Sequence, residues 1–180
     1  MDPVELTAPG LLLRGWRARD ARAVLAALRE PEVERWNPQG VRDEAGAREW
    51  LRRRADPTAV DRLSLAVTDA ADGTLLGGAS LFQIHDGNAS IGYWTAAAAR
   101  GRGVASRAVT ALGGWAFAHL GVHRIELCHA VANPASCRVA ARAGYPIEGT
   151  MRDSHRYGDG RRHHEHLHAR LATDPDPGPG

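Results

Sequence analysis

SIGYWTAAAARGRGVASR, residues 90–107, joins a short apolar strand to the start of an amphipathic helix through a turn rich in arginine and glycine. Gly101 and Gly103 carry no Cβ, so backbone N–H groups in this turn can approach a ligand closely. The helix that follows directs the positive end of its dipole toward the same place. The stretch therefore predicts a binding site for a pyrophosphate group.

Upstream of the glycine turn, the sequence predicts an antiparallel meander of three strands. Leu63, Leu65 and Val67 alternate with small or polar residues, which is the period of a half-buried strand. Two more strands are expected at residues 74–84 and 89–95, each entered through a turn that contains an Asp-Gly pair. The glycine turn thus follows the last strand of the meander.

The N-terminal part predicts one strand and two helices. The strand covers Leu11–Arg14, and the first helix is expected to start after Asp20 as its N-cap. The second helix is expected to start near Asp43. The segment between the two helices contains Trp36 and is predicted to be irregular.

Downstream of the glycine turn, the hydrophobic period becomes helical, and the predicted apolar face consists of Ala105, Val109, Leu112, Ala116 and Leu120. A strand from Arg124 is expected to run parallel to the strand before the helix, because a crossover of this length favours a parallel partner. A short helix after Asn133-Pro134 and closing strands at 145–148, 151–157 and 163–171 complete the chain. The fold class is therefore α/β, with a mixed and mostly antiparallel sheet.

Composition limits the functional classes. The 180 residues are 43% hydrophobic and 24% charged, which fits one globular domain, expected at residues 1–171. Residues 172–180 are rich in Pro, Gly and Asp and are expected to be disordered. A net charge of +2 does not favour a nucleic-acid partner. No segment approaches the roughly 20 apolar residues of a membrane span, and Cys128 and Cys137 lack disulfide or metal spacing, so a cytoplasmic protein without a membrane partner is expected.

The glycine turn has several possible interpretations. The simplest is a loop that only needs a flexible backbone. A dinucleotide site is the second, because Gly101-x-Gly103 precedes a helix and Glu126 follows near the offset of a ribose-binding acid. However, Ser106 replaces the third glycine of that fingerprint, and an antiparallel meander does not fit a doubly wound sheet. A P-loop is excluded because the chain contains no lysine.

The glycine turn is one of several sequence blocks that occur in a familiar order. The turn has the pattern Arg100-x-x-Gly103-x-Ala105, and the other blocks are IGYW at 91–94, WAF at 115–117, LGVHRIE at 120–126, NPASCRV at 133–139 and AGY at 143–145. This series resembles the GCN5-related N-acetyltransferases (GNAT), in particular their RimJ/RimL-type branch, over about residues 11–171. The resemblance implies the acyl-CoA N-acyltransferase fold, a mixed sheet whose parallel central strands splay apart between flanking helices.

Resemblance to this family implies acetyl-CoA as cosubstrate and no metal. The pantetheine arm would lie in the V-shaped cleft between the splayed strands, and the pyrophosphate would meet the amides of residues 101–105. An arginine of the turn would add charge, and a backbone N–H at the end of the first splayed strand would stabilise the oxyanion. The cofactor-binding residues implied are Trp94, Thr95, Arg100, Gly101, Arg102, Gly103, Val104, Ala105 and Asn133.

The same resemblance implies direct transfer of an acetyl group to an amine. Ser136 occupies the RimJ/RimL-type position of the hydroxyl that protonates the leaving thiolate, and Ala140 stands where many relatives have a tyrosine. Glu126 is the candidate base, acting directly or through water. Cys128 stands where some acetyltransferases place a glutamate, and Trp36 is the candidate acceptor-binding residue.

The expected function is an acetyl-CoA-dependent N-acetyltransferase whose acceptor is a protein N-terminal α-amine or a small-molecule amine. The alternative is a non-catalytic acyl-CoA-binding or regulatory module on the same fold. Whether the chain forms a homodimer stays open. The histidine-rich run at 163–168 predicts a polar strand face, because His164, His166 and His168 on one strand would lie about 7 Å apart, too far for one metal ion without ligands from other segments.

Overall fold

A computed structural model describes residues 4–56 and 58–178. The described residues form eight strands, β1 (Leu6–Ala8), β2 (Leu11–Arg14), β3 (Arg62–Asp69), β4 (Leu75–His85), β5 (Asn88–Thr95), β6 (Arg124–Ala130), β7 (Ile147–Arg156) and β8 (Arg162–Leu171). They also form five α-helices, α1 (Ala21–Leu28), α2 (Pro31–Trp36), α3 (Glu44–Arg54), α4 (Val104–His119) and α5 (Pro134–Arg142). None of the described helices is long and apolar enough to cross a membrane.

The strands form one sheet in the order β1-β2-β3-β4-β5-β6-β8-β7. Neighbouring strands are antiparallel except β5 and β6, which are parallel and joined through α4. This arrangement confirms the predicted mixed, mostly antiparallel sheet and its parallel crossover. Two details differ from expectation: β1 was not predicted, and the strands expected at 145–148 and 151–157 are one strand, β7, whose pairing with β8 shifts register twice.

Strand β3 is buried on both faces, so the expectation of a half-buried strand is wrong. Leu65 and Val67 lie in the core that includes the buried residues of α4 and α5. Ala66 points the other way, into a second core that holds Trp50 of α3 and Val33 of α2. A layer of helices α1 to α3 covers the face that the alternation left to solvent.

The segment around Trp36, predicted to be irregular, contains helix α2. The helix starts at Pro31, and proline is favoured at a first helical position because the N–H there needs no helical partner. Trp36 is the last residue of α2. Six residues are too few to show a helical period in the sequence, which is why the pattern missed this helix.

Asp20 directly precedes α1, but its side chain does not cap that helix. Its carboxylate oxygens accept hydrogen bonds from the buried Arg14 guanidinium at 2.8 and 2.9 Å and from the Arg17 N–H at 2.8 Å. Burial works to raise the pKa of Asp20, but these hydrogen bonds outweigh it and leave the pKa below its ordinary value. Asp20 therefore neutralises a buried arginine instead of capping α1.

The buried face of α4 is rotated from the predicted one and comprises Val104, Ala108, Val109, Leu112, Gly113 and Ala116. Ala105 and Leu120, which were placed on that face, are half-buried. Alanine occurs on several sides of this helix, so the apolar pattern alone does not fix its rotation.

The tail expected to be disordered is described as far as residue 178 and contacts the domain there. Asp176 Oδ1 accepts a hydrogen bond from Arg170 Nη2 at 2.7 Å, and Asp174 Oδ2 accepts one from the Leu171 N–H at 2.9 Å. Residues 179 and 180 of this tail lie outside the described residues.

Candidate active site

The central parallel strands part near the middle of the sheet. Pairing between β5 and β6 runs from Asn88 opposite Arg124 to Ser90 opposite Glu126, although β5 continues to Thr95 and β6 to Ala130. Beyond Ser90 the two strands form the walls of a cleft of about 690 Å³, which α2, the glycine turn, and α5 also line. The structure thus confirms the splayed central strands that the family resemblance implies.

The glycine turn lies at the mouth of this cleft, at the start of α4. Gly101 and Gly103 adopt the left-handed region, with φ of +74° and +71°, and Gly103 immediately precedes the first helical residue. The first N–H groups of a helix have no partner inside the helix and attract anions. Gly101, Gly103, Val104 and Ala105 all line the cleft, so the turn is placed to receive a phosphate group.

The two arginines of the turn differ in their placement. Arg100 lines the cleft, where its guanidinium forms an ion pair with Glu30 and its Nε donates to the Thr95 carbonyl at 3.2 Å. Arg102 is absent from the residues lining the cleft, and its carbonyl accepts a hydrogen bond from Arg107 Nη1 at 3.0 Å. Of the two predicted phosphate partners, Arg100 is therefore the one that lines the cleft.

Ser136 is held at the N-terminus of α5 by the helix cap. Asn133 Oδ1 accepts from the Ser136 N–H at 3.3 Å, and Asn133 Nδ2 donates to Ser136 Oγ at 3.3 Å. The Tyr93 hydroxyl lies 2.8 Å from Ser136 Oγ. Burial raises the pKa of Tyr93 to about 12, with the Ser136 hydrogen bond partly opposing it. Tyr93 therefore keeps its proton at neutral pH and forms a pair of hydroxyl donors with Ser136.

No role was predicted for Tyr93 from the sequence. Tyr93 lies in the IGYW block. Alternation along β5 places its side chain on the same face of the sheet as Leu127 of β6, against the core that includes α4 and α5. We call this side the α5 face. The opposite side, where Trp94 and Cys128 lie and which α2 covers, we call the α2 face.

Two carboxylates line the α2 face of the cleft. Glu126 Oε1 accepts a hydrogen bond from Arg124 Nε at 2.9 Å, and the same guanidinium binds Glu148 at 2.9 and 2.6 Å. Glu165 is buried and accepts from the hydroxyls of Ser154 at 2.6 Å and Tyr157 at 2.8 Å. No role was predicted for Glu165, which appeared only within the histidine-rich run at 163–168. Its hydroxyl partners lie on β7 and in the turn that follows, so the local sequence does not reveal them.

Trp36 contributes an aromatic wall beside these carboxylates. Its ring lies edge-on to Tyr157 and His163, at centroid distances of 5.6 and 5.5 Å. Burial and the hydrogen bond to Glu165 raise the pKa of Tyr157 well above its ordinary range, so its hydroxyl stays a donor. The structure therefore brings Trp36, Glu126, Ser136 and the predicted cofactor residues other than Arg102 to one cleft.

Cys128 lies between the two carboxylates on the α2 face. The pKa of its thiol decides whether the cleft contains a reactive cysteine. Although Cys128 is exposed to the cleft, desolvation of its thiol, reinforced by the negative charges of Glu165 and Glu126, raises the pKa of Cys128 to about 11. Because the thiolate is the nucleophile, only about one thiol in a thousand is reactive at pH 8. We expect iodoacetamide to label Cys128 slowly in the Cys137→Ser variant, with the rate rising about tenfold per pH unit below the pKa.

Mass spectrometry of the labelled peptide measures this rate, and the unfolded chain, in which the thiol regains its ordinary pKa, provides the control. Fast labelling of the folded variant at pH 7 would contradict the raised pKa. A poorly ionised Cys128 is a weak candidate for a covalent acetyl-cysteine intermediate.

Comparison with known proteins identifies relatives of this chain. The family model for the acetyltransferase (GNAT) domain matches residues 10–146. YdaF of Bacillus subtilis (strain 168), by name a candidate ribosomal N-acetyltransferase, is 36% identical over 107 residues, which are 58% of this chain and 56% of YdaF. YjcK of the same organism, by name a candidate N-acetyltransferase, is 41% identical over 86 residues, 46% of this chain and 48% of YjcK. The chain thus spans about half the length of these curated relatives.

Solved structures share the fold over nearly all of the chain. A GNAT-family acetyltransferase from Bacillus anthracis has a TM-score of 0.85 and 22% identity, covering 95% of this chain and 100% of its own. Mycobacterium smegmatis RimJ, solved in complex with CoA-disulfide, has a TM-score of 0.80 and 24% identity, covering 97% and 90%. Because the family model matches most of the sequence and these structures match its fold, the chain belongs to the GNAT family of acetyltransferases.

Proposed function

We propose that the protein is an acetyl-CoA-dependent N-acetyltransferase that transfers the acetyl group directly to an amine. The observation that carries the proposal is the parting of β5 and β6 beside an anion-binding glycine turn, with the Tyr93–Ser136 hydroxyl pair between them. A cleft of this kind accepts an extended thiol-bearing arm at one wall and a phosphate at its mouth. The composition further supports a cytoplasmic setting for this reaction.

The coenzyme is held mainly by backbone groups in this proposal. Its pyrophosphate meets the N–H groups of residues 101–105, with Arg100 beside it. Its pantetheine arm lies along the edge of β5 that β6 leaves open. The Ala96 N–H donates to the Leu76 carbonyl, so the backbone groups of Ala96 point toward β4. Backbone groups alternate in direction along a strand, so those of Thr95 point away from β4 and toward the cleft, where the Thr95 carbonyl accepts from Arg100. Thr95 N–H, and not that of Trp94, is then the donor for the oxyanion.

The two faces of the sheet divide the chemistry. The acceptor amine approaches from the α2 face, and Glu126 takes its proton directly or through water. The nitrogen then bonds to the thioester carbon, the carbon–sulfur bond breaks, and the departing thiolate takes a proton from Tyr93 or Ser136 on the α5 face. The products are an amide and free CoA, and the cycle closes when Glu126 releases its proton to the solvent and the hydroxyl pair takes one from the solvent.

The acceptor class we propose is a protein N-terminal α-amine, because a relative 36% identical is named for ribosomal N-acetylation. A small-molecule amine is the alternative. A panel of short peptides with different first residues and of polyamines, assayed by thiol release from acetyl-CoA, distinguishes them. A module that only binds acyl-CoA would bind acetyl-CoA in calorimetry and release no thiol with any acceptor. Binding of NAD in place of acetyl-CoA would contradict the coenzyme assignment.

Glu126→Gln tests the base. We expect this variant to lower kcat by about 10²- to 10⁴-fold while leaving the Kd for acetyl-CoA unchanged, since general-base catalysis contributes an effect of that size. Glu148→Gln is the matched control, because Glu148 shares Arg124 with Glu126 but does not line the cleft. Equal turnover of the Glu126→Gln variant and the unmodified chain would remove Glu126 from the mechanism. A large loss in Glu165→Gln alone would transfer the role to Glu165.

A further inference from the structure

Three histidines and a cysteine meet on the α5 face, outside the residues that the proposed reaction uses. His129 comes from β6, His166 and His168 come from β8, and Cys137 comes from α5. One ligand atom from each residue lies within 4.8 Å of all the others. The histidine run of β8 could not supply such a group alone, but the neighbouring strand and helix complete it.

Backbone carbonyls fix the orientation of the two innermost rings. His129 Nδ1 donates to the Ala130 carbonyl at 2.8 Å, and His168 Nδ1 donates to the Tyr145 carbonyl at 2.9 Å. A carbonyl can only accept, so both Nδ1 atoms carry protons and each neutral ring presents a lone pair at Nε2. A backbone hydrogen bond at the other nitrogen is also the usual support of a histidine that binds a metal.

The Nε2 atoms of His129 and His168 lie only 3.1 Å apart, with both rings buried. Two lone pairs at this distance repel each other unless a cation lies between them. A metal ion is the cation that neutral imidazoles favour.

His166 supplies an independent indication. Its Nδ1 atom is buried and has no hydrogen-bond partner among the described residues. A buried nitrogen without a partner is costly, and bonding to a metal would satisfy it. Its ring also lies edge-on to His129, at a centroid distance of 5.4 Å.

We infer that His129, His166, His168 and Cys137 bind one Zn²⁺ ion. Two Zn–N bonds of about 2.05 Å that meet at a tetrahedral angle span about 3.3 Å between nitrogens, close to the observed separation of the inner pair. Three imidazoles and one thiolate form a closed tetrahedral set, the kind that suits structural zinc. On binding, the sulfur–hydrogen bond of Cys137 breaks, the sulfur bonds to zinc, and one proton passes to the solvent.

A zinc ion at this site would have a structural role. Cys137 directly follows Ser136 in the first turns of α5, so zinc would tie the helix that carries the thiolate donor to β6 and β8. The ion would hold Ser136 in position without touching the substrates. The inference does not depend on the proposed transferase activity, because the site is closed and the cluster exists whatever the cleft binds.

Metal titration of the untagged chain tests the inference. After metal is removed by a chelator and circular dichroism shows that the chain is folded, Zn²⁺ is expected to bind at one ion per chain and to raise Tm. Co²⁺, added as a spectroscopic probe, is expected to give the visible bands of tetrahedral coordination and a thiolate-to-cobalt band in the near ultraviolet.

Variants locate the ion. Cys137→Ser is expected to abolish the thiolate band, and His166→Ala to weaken Zn²⁺ binding by more than about 100-fold. His166 is only partly buried, so its variant should remain folded. Cys128→Ser and His164→Ala are the matched controls, since they change a cysteine of β6 and a histidine of β8 outside the cluster. Failure of the folded chain to bind stoichiometric Zn²⁺, or binding that survives both Cys137→Ser and His166→Ala, would overturn the inference.

Discussion

Replacing Ser136 with alanine is expected to lower kcat by about 10²- to 10⁴-fold while the Kd for acetyl-CoA stays nearly unchanged. The thiolate needs a proton only as it departs, so the hydroxyl pair acts in the transition state and not in coenzyme binding. Tyr93→Phe is expected to give a loss of similar size. The Tyr93 hydroxyl, with a pKa of about 12, should remain a donor throughout the neutral range, so its own ionisation should not limit kcat below about pH 11.

The two hydroxyls lie 2.8 Å apart and should act as a unit. A double-mutant cycle by thiol release measures this, and we expect the variant with both changes to be no slower than the worse single variant. Ser136→Thr, which retains a hydroxyl, should recover most of the lost turnover. Losses that simply multiply in the double variant would show independent roles. A fall in Tm equal in Ser136→Ala and Ser136→Thr, with equal loss of turnover, would indicate that Ser136 only supports the helix.

Gly101→Ala is expected to weaken acetyl-CoA binding by about 100-fold. The added methyl would meet no protein atom within 4 Å and would instead occupy open space beside the turn, where the pyrophosphate is proposed to lie. Losing two charge-assisted hydrogen bonds of about 1.5 kcal/mol each corresponds to such a factor. Calorimetry measures the Kd. The substitution also costs stability, on the order of 1 kcal/mol, because alanine does not favour a φ of +74°.

Gly73→Ala separates these two effects. Gly73 has a φ of +75° in the turn between β3 and β4, and a Cβ there meets nothing within 4 Å, as at Gly101. The backbone strain of the two variants should therefore be equal, and so should their fall in Tm. Equal acetyl-CoA affinity of both variants would contradict a role for the Gly101 amides in binding the coenzyme.

Local patterns in the sequence predicted the frame of the site. The last strand of the meander, the glycine turn and α4 are contiguous in the chain, so their order could be inferred from residue type and period. The N-cap at Asn133 bonds a residue only three positions further along the chain, and the Asn133-Pro134 pair indicated the start of this helix. The separation of β5 from β6 was predicted only from the family resemblance, because the residue pattern of neither strand indicates where their pairing ends.

Contacts between distant segments could not be predicted in this way. Tyr93 and Ser136 are 43 residues apart, and His129 and His168 are 39 residues apart. Each pair depends on the register of β6 beside its neighbours and on the rotation of α5, which single-strand alternation does not specify. Glu165 is a similar case, since its burial depends on hydroxyls that β7 and its turn bring to it.

The sheet is a single layer thick where its middle strands diverge, with hydroxyls on one side and carboxylates on the other. Acetyl-CoA and the acceptor would therefore enter the cleft from opposite sides of the sheet. A polypeptide acceptor would place its N-terminus in the α2 side of the cleft while the coenzyme stays bound at the α5 side. CoA would then be replaced by acetyl-CoA before the acetylated product dissociates. Such an arrangement shortens the cycle when the acetylated product is slow to leave, because a new acetyl-CoA is already bound when the next acceptor arrives.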